Sequence, residues 1–185
     1  MNSMKNNEGK IEMRKQKGFS LIELLIVVAI ILIIAAIAIP NLMRAKMAAN
    51  ESSAAAGNRT IVTGEIAYFA AYPTIGYTLM ASLGGAAPCT PLPATACLID
   101  NNLAQDGTPA GSGKSGFLYS NAVQASAGSA VPNQFYSQAV PITGGSTGSK
   151  AFCAADDGVV RQSPSGTWAA PGGYAACLLW NPLAN

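Results

Sequence analysis

The residue in this chain best placed to do chemistry is Glu23, a carboxylate inside the apolar run Phe19 to Ile39 and four residues after Phe19. On insertion scales an ionisable side chain at the centre of a membrane-length helix costs roughly 2.5–3.5 kcal/mol, and less near an end. Such a residue marks a functional site and calls for a partner of opposite charge. Other candidates are weaker. Gly111-Ser112-Gly113-Lys114-Ser115 ends like a phosphate-binding loop, but position 108 is Thr where that pattern needs Gly. It reads as a loop leading into a strand. Histidine is absent from the chain, which removes the usual base of serine catalysis. Asp156 and Asp157 could hold Ca²⁺ with loop carbonyls, yet two adjacent acids in a turn are more often solvated. A tetrathiolate zinc site would need a Cys-x-x-Cys spacing that the four cysteines do not have. No metal, cofactor or catalytic residue is expected.

The element that must position Glu23 is a helix. From Phe19 to Ile39 there is one charge and neither Gly nor Pro, until Pro40. About 20 apolar residues at 1.5 Å rise span a hydrocarbon core of ~30 Å. Ahead of the run lie Lys5, Lys10, Arg14, Lys15 and Lys17 against Glu8 and Glu12. That cationic excess keeps the amino terminus cytoplasmic and sends the remainder outward. An ordinary signal peptide is the plainer alternative, with Ala35, Ala36 and Ala38 imitating a cleavage site. Without residues 1–18, six cations and seven acids remain, so the net +2 belongs to the leader. Lys114, Lys150 and Arg161 are widely separated, and no direct nucleic-acid site is evident.

Gly18, then Phe19, then Glu23 as fifth residue from the Gly18–Phe19 bond, followed by a run closed by Pro40-Asn41, resembles the type IV prepilin family. That family comprises type IV pilins and the pseudopilins of type II secretion. The resemblance implies cleavage between Gly18 and Phe19 by a prepilin peptidase and N-methylation of Phe19. It further implies that Glu23 neutralises the Phe19 ammonium of a neighbouring subunit during assembly. Met13-Arg14-Lys15-Gln16-Lys17-Gly18 alone would make a complete basic leader, so Met13 rather than Met1 is a candidate start.

Beyond Pro40, which should kink the helix, Leu42, Ala45, Ala49, Ser52, Ala56, Arg59, Val62, Ile66 and Phe69 recur at three- or four-residue spacing. Gly57 and Gly64 weaken this half, and Pro73 ends it. One helix is therefore expected from Phe19 to Ala71. Short helical turns are plausible at Leu79–Leu83 and Leu98–Ala104. Then the period changes. Gly116–Ser120, Phe135–Val140, Ala151–Ala154 and Gly158–Arg161 read as strands, with Asp156-Asp157-Gly158 as a hairpin turn. Tyr68, Phe69, Tyr72 and Tyr77 read as packing between helix and head. Four thiols on an exported chain point to disulfides, with three possible pairings. Cys89–Cys97 with Cys153–Cys177 is favoured, because each pair brackets a Pro/Gly-rich loop of its own.

Lys114-Ser115-Gly116-Phe117 and Phe152-Cys153 through Val160-Arg161 are similar to the heads of major pilins and pseudopilins, more loosely than the amino terminus. The fold class is thus α+β, a pilin-like ladle: one long amino-terminal helix with an antiparallel meander packed on its outer half. The divisions are a cleaved leader (1–18), a membrane or filament-core segment (19–40), an amphipathic half-helix (41–72) and a periplasmic or extracellular head (73–185). The implied protein is the major subunit of a type IV pilus, a non-enzymatic homo-oligomer. Its partners would be the prepilin peptidase, an inner-membrane assembly platform and the inner membrane itself, which it spans once with its amino terminus cytoplasmic. From there it would pass to the periplasm and a surface filament for adhesion or twitching motility. A type II secretion pseudopilin and a membrane-tethered binding module are the alternatives.

Overall fold

The computed structural model describes residues 18–106, 113–164 and 167–183. The basic leader ahead of Gly18, with Met13, and the Gly111-Ser112 part of the loop-like motif lie outside the described residues. The chain divides into two compact units after Pro40. Helix α1 (Leu21–Ala71) contributes to both and continues through Pro40.

In the second unit, α2 (Met80–Leu83) and α3 (Asn101–Gln105) follow α1. Then come β1 (Phe117–Gln124), β2 (Gln134–Pro141), β3 (Phe152–Ala155) and β4 (Val160–Gln162). Helix α4 (Tyr174–Leu178) and β5 (Asn181–Pro182) close the chain. The sheet is an antiparallel meander in the order β1-β2-β3-β4-β5. Its register sets Tyr119 opposite Ala139, and Ser137 opposite both Asn121 and Ala154. β2 alternates cleanly, burying Phe135, Ser137, Ala139 and Pro141, as a strand with one covered face should. β3 is buried on both faces, because α4 covers the far side through the Cys153–Cys177 disulfide. The other bond joins Cys89 to Cys97, closing a loop whose Pro93 carbonyl accepts from the Tyr68 hydroxyl at 2.8 Å. Sheet edges are protected. The Tyr119 N–H of edge strand β1 donates to Asp106 at 2.7 Å, and β5 ends in Pro182.

The buried face of α1 comprises Ala54, Ala55, Asn58, Ile61, Val62, Gly64, Glu65 and Tyr68. This corrects the apolar stripe read from sequence, of which only Val62 is buried. The inward face is rotated from the apolar spacing because it contains Asn58 and Glu65. The two helix glycines also gain a reason. A Cβ on Gly57 would lie 2.4 Å from the Tyr119 ring, and one on Gly64 would lie 2.9 Å from Ile99. They permit close approach of sheet and loop to the helix. The aromatics pack as read, with ring centroids 4.8 Å apart for Tyr68–Tyr72, 4.9 Å for Phe69–Tyr77 and 4.6 Å for Tyr77–Phe135.

Overpacking a tight core contact costs roughly 1–3 kcal/mol. Gly57→Val should therefore lower the unfolding free energy by about 2 kcal/mol in urea titrations followed by circular dichroism, while Val at exposed Ala56 stays within about 0.5 kcal/mol of the parent. Equal effects at the two positions would contradict the close-approach role.

Candidate functional site

At the amino-terminal end, Gly18 is open, with nothing within 4 Å of a Cβ built on it, and Phe19 is 85 % exposed. Helix α1 begins two residues later. Glu23 occupies its first turn and accepts from the Ser20 backbone N–H at 2.9 Å. This is half of a capping box, Ser-x-x-Glu, in which the acid satisfies a free donor and faces the positive end of the helix dipole. The motif was present in the sequence and passed over there. The chain therefore stabilises Glu23 locally even without a second molecule. From Leu21 through Met43 the large apolar side chains are exposed. Among the described residues, α1 is the one helix long and apolar enough to cross a membrane.

In the second unit, the residues that looked chemically interesting are engaged structurally. Asp157 is held by the Arg161 guanidinium, which holds its carboxyl below the usual carboxylate range, and Asp156 accepts from the Tyr174 hydroxyl at 2.7 Å. This ties the β3–β4 turn to α4 and uses the two acids considered for Ca²⁺. Among the described residues no group of three or more potential metal ligands occurs. Lys114 pairs with Asp100 at 3.1 Å, and Asp100 also caps α3. Gly144-Gly145-Ser146-Thr147-Gly148 spells a Gly-x-Ser-x-Gly pattern. It forms a turn between β2 and β3, with Ser146 and Thr147 N–H both donating to the Thr143 carbonyl, rather than a strand-to-helix elbow. Asn50-Glu51-Ser52 and Asn58-Arg59-Thr60 also spell the glycosylation acceptor pattern, but Asn50 donates to the Thr147 carbonyl at 3.0 Å and Asn58 is fully buried.

Among the described residues, the one strongly perturbed acid is Glu65, which sequence reading did not single out. It is fully buried and accepts from Thr78 N–H at 3.1 Å and from the Asn121 amide. Asn121 in turn donates to the Thr78 carbonyl and accepts from Met80 N–H, at 2.9 and 2.7 Å. This network joins α1, the segment entering α2, and β1. Burial pushes the Glu65 carboxyl up to about 8, with the two hydrogen bonds acting in the opposite direction.

Residues 13–39 match the family described as the prokaryotic N-terminal methylation motif. This amino-terminal segment is therefore similar to that of prokaryotic pilins. Over 40 residues it is 62 % identical to the type IV wide pilus major component PilA4 of Thermus thermophilus. The match spans 22 % of this chain and 30 % of that relative. No solved structure matches. The long amino-terminal helix and antiparallel carboxy-terminal sheet form a pilin-like α+β arrangement.

The Glu65 network has a pH signature. Above the ordinary carboxylate range the unfolded chain ionises Glu65 while the folded chain keeps the proton. The contribution of Glu65 to stability is therefore fully present at acid pH and declines as pH rises towards 8. The slope in that window approaches about 1.4 kcal/mol per pH unit. Unfolding free energies from pH 5 to 8 should fall in the parent and flatten in Glu65→Gln. A flat parent profile would contradict the buried neutral acid.

Proposed function

We propose that this chain is the major structural subunit of a type IV pilus and has no catalytic activity of its own. The observation that carries the reading is the lone carboxylate Glu23, four residues after Phe19, in an otherwise apolar stem preceded by cations and Gly18. A prepilin peptidase cleaves between Gly18 and Phe19, and Phe19 becomes N-methylated. The precursor waits in the inner membrane, with its amino terminus cytoplasmic. An assembly platform then moves it through the periplasm into a surface filament. Phe19–Ile39 exchanges lipid for neighbouring stems, and Glu23 meets the Phe19 ammonium of an adjacent subunit.

Two lines of physical argument support this. A carboxylate withdrawn from water needs a cation or hydrogen-bond donors, and the new amine lies within one turn of it in sequence. Identical subunits meeting head-to-tail grow an open helix, whose apolar seam contributes ~25 cal/mol per Å² buried. Pro40 locally opens or bends the stem because it removes one backbone donor. A major pseudopilin of type II secretion would use the same stem. Similarity to a major pilus component of Thermus thermophilus favours the pilus. A membrane-tethered binding module would form no polymer.

Glu23→Ala should leave processing intact while fibre sheared from cells falls at least tenfold. Leu at Gly18 should leave a precursor-sized band. Normal fibre from the Glu23 variant would refute the role assigned to that carboxylate.

A further inference from the structure

We infer that residues 41–49 of α1 form a contact for anionic phospholipid, with Arg44 and Lys46 engaging headgroup phosphates at the outer face of the inner membrane. The inference rests on the membrane-stem reading of the proposed function. Between Glu23 and Glu51 the chain contains no acid, and Arg44 and Lys46 are the first charges after the apolar run. They follow Ile39 by five and seven residues, about 7–11 Å of helical rise. The headgroup layer on each side of the hydrocarbon core is about 5–8 Å thick, so both long side chains reach it.

The head leaves most of this segment bare: Met47 is half-buried, and the other residues of 41–49, Arg44 and Lys46 among them, are exposed. The first hydrogen bond from α1 to the head is that of Asn50 to Thr147, and the first buried residue is Ala54. Leu42 and Met43 are 69 % and 51 % exposed beside the two cations, the mixed apolar and basic composition that suits a membrane interface. Neither cation has an ion-pair partner among the described residues, where the pairs are Lys114–Asp100 and Arg161–Asp157. Glu51, the nearest acid along the helix, is engaged by the backbone N–H and hydroxyl of Ser149, both at 2.7 Å.

Helical geometry selects lipid over a second protein copy. Residues two apart on an α-helix point about 200° from each other, so Arg44 and Lys46 lie on opposite sides. One docking face could engage only one of them. A ring of headgroups around a helix engages both. Each cation near an anionic surface favours it severalfold, and two together by roughly 30-fold at low salt.

The test uses the full chain in nanodiscs containing equal phosphatidylcholine and phosphatidylglycerol, with native mass spectrometry counting the lipids that stay bound. The parent should retain phosphatidylglycerol preferentially. Arg44→Gln/Lys46→Gln should lose that preference by about an order of magnitude, and the charge-preserving Arg44→Lys/Lys46→Arg should restore it. Arg59→Gln, twenty residues beyond Ile39, should resemble the parent. The leader is identical in every variant, so the differences report residues 44 and 46. Equal retention by parent and double Gln variant would overturn the inference, as would an equal loss in Arg59→Gln. A double variant that keeps its lipids but no longer self-associates would assign the cations to a second copy instead, and also overturn it. A parent chain that never enters the bilayer refutes the stem reading itself. One that inserts without lipid preference refutes the headgroup contact alone.

Discussion

An α-helix that exposes Leu21, Ile31, Ile34 and their apolar neighbours to solvent has no stable existence alone in water. That constraint governs the first half of α1. At ~25 cal/mol per Å², a surface of this kind must be covered by lipid or by other protein. Both coverings are non-aqueous, so one sequence serves both, provided its single charge can be accommodated in each. Glu23 has one form of accommodation in the structure and a second in the proposed filament. Within one chain it caps the first turn through Ser20 N–H. In a filament, the account gives it the amine of an adjoining protomer. The capping arrangement would lower the cost of the proposed membrane stage without consuming the carboxylate, because a carboxylate has lone pairs for several donors.

The second half of α1 works under a different rule. It supports a sheet, and its inward face carries polar groups held by specific partners. Glu65, Asn121 and Thr78 form a closed set of hydrogen bonds. Such a network fixes how loop, strand and helix meet, where apolar contacts alone would tolerate sliding. Gly57 and Gly64 bring the partners close. One disulfide closes the Cys89–Cys97 loop, whose Pro93 carbonyl accepts from the Tyr68 hydroxyl, and the other attaches α4 to β3. A head with short strands and many Gly and Pro residues thereby obtains order that its strand lengths would not supply.

Much of this was legible in the residues. Strand positions at Phe117, Phe135, Phe152 and Val160 declared themselves by aromatic or β-branched residues between turn formers, and Pro73 marked the end of α1. The inward stripe of the helix was not legible. Asn58 and Glu65 interrupt the apolar period, and their burial depends on sheet residues more than 50 positions away. Asn58 shows the limit plainly, since its side-chain amide is buried with no hydrogen-bond partner among the described residues. Helix α4 and β5 were equally hidden. α4 is held through the Cys177 bond to β3, and β5 through pairing with β4, neither of which has a local signature. At the candidate site the reverse holds. Gly18, Phe19 and Glu23 are adjacent or one turn apart, so the chemistry proposed for them rests on local spacing and needs no fold. Ser20 completed that site in plain view, and only the geometry drew attention to it.

The most direct test of the account is the mass and amino-terminal sequence of the protein recovered from fibres sheared off cells. The account predicts a single chain beginning at Phe19, with one methyl group on its α-amine. A subunit that retains Lys17-Gly18, or begins at any other residue, would contradict it.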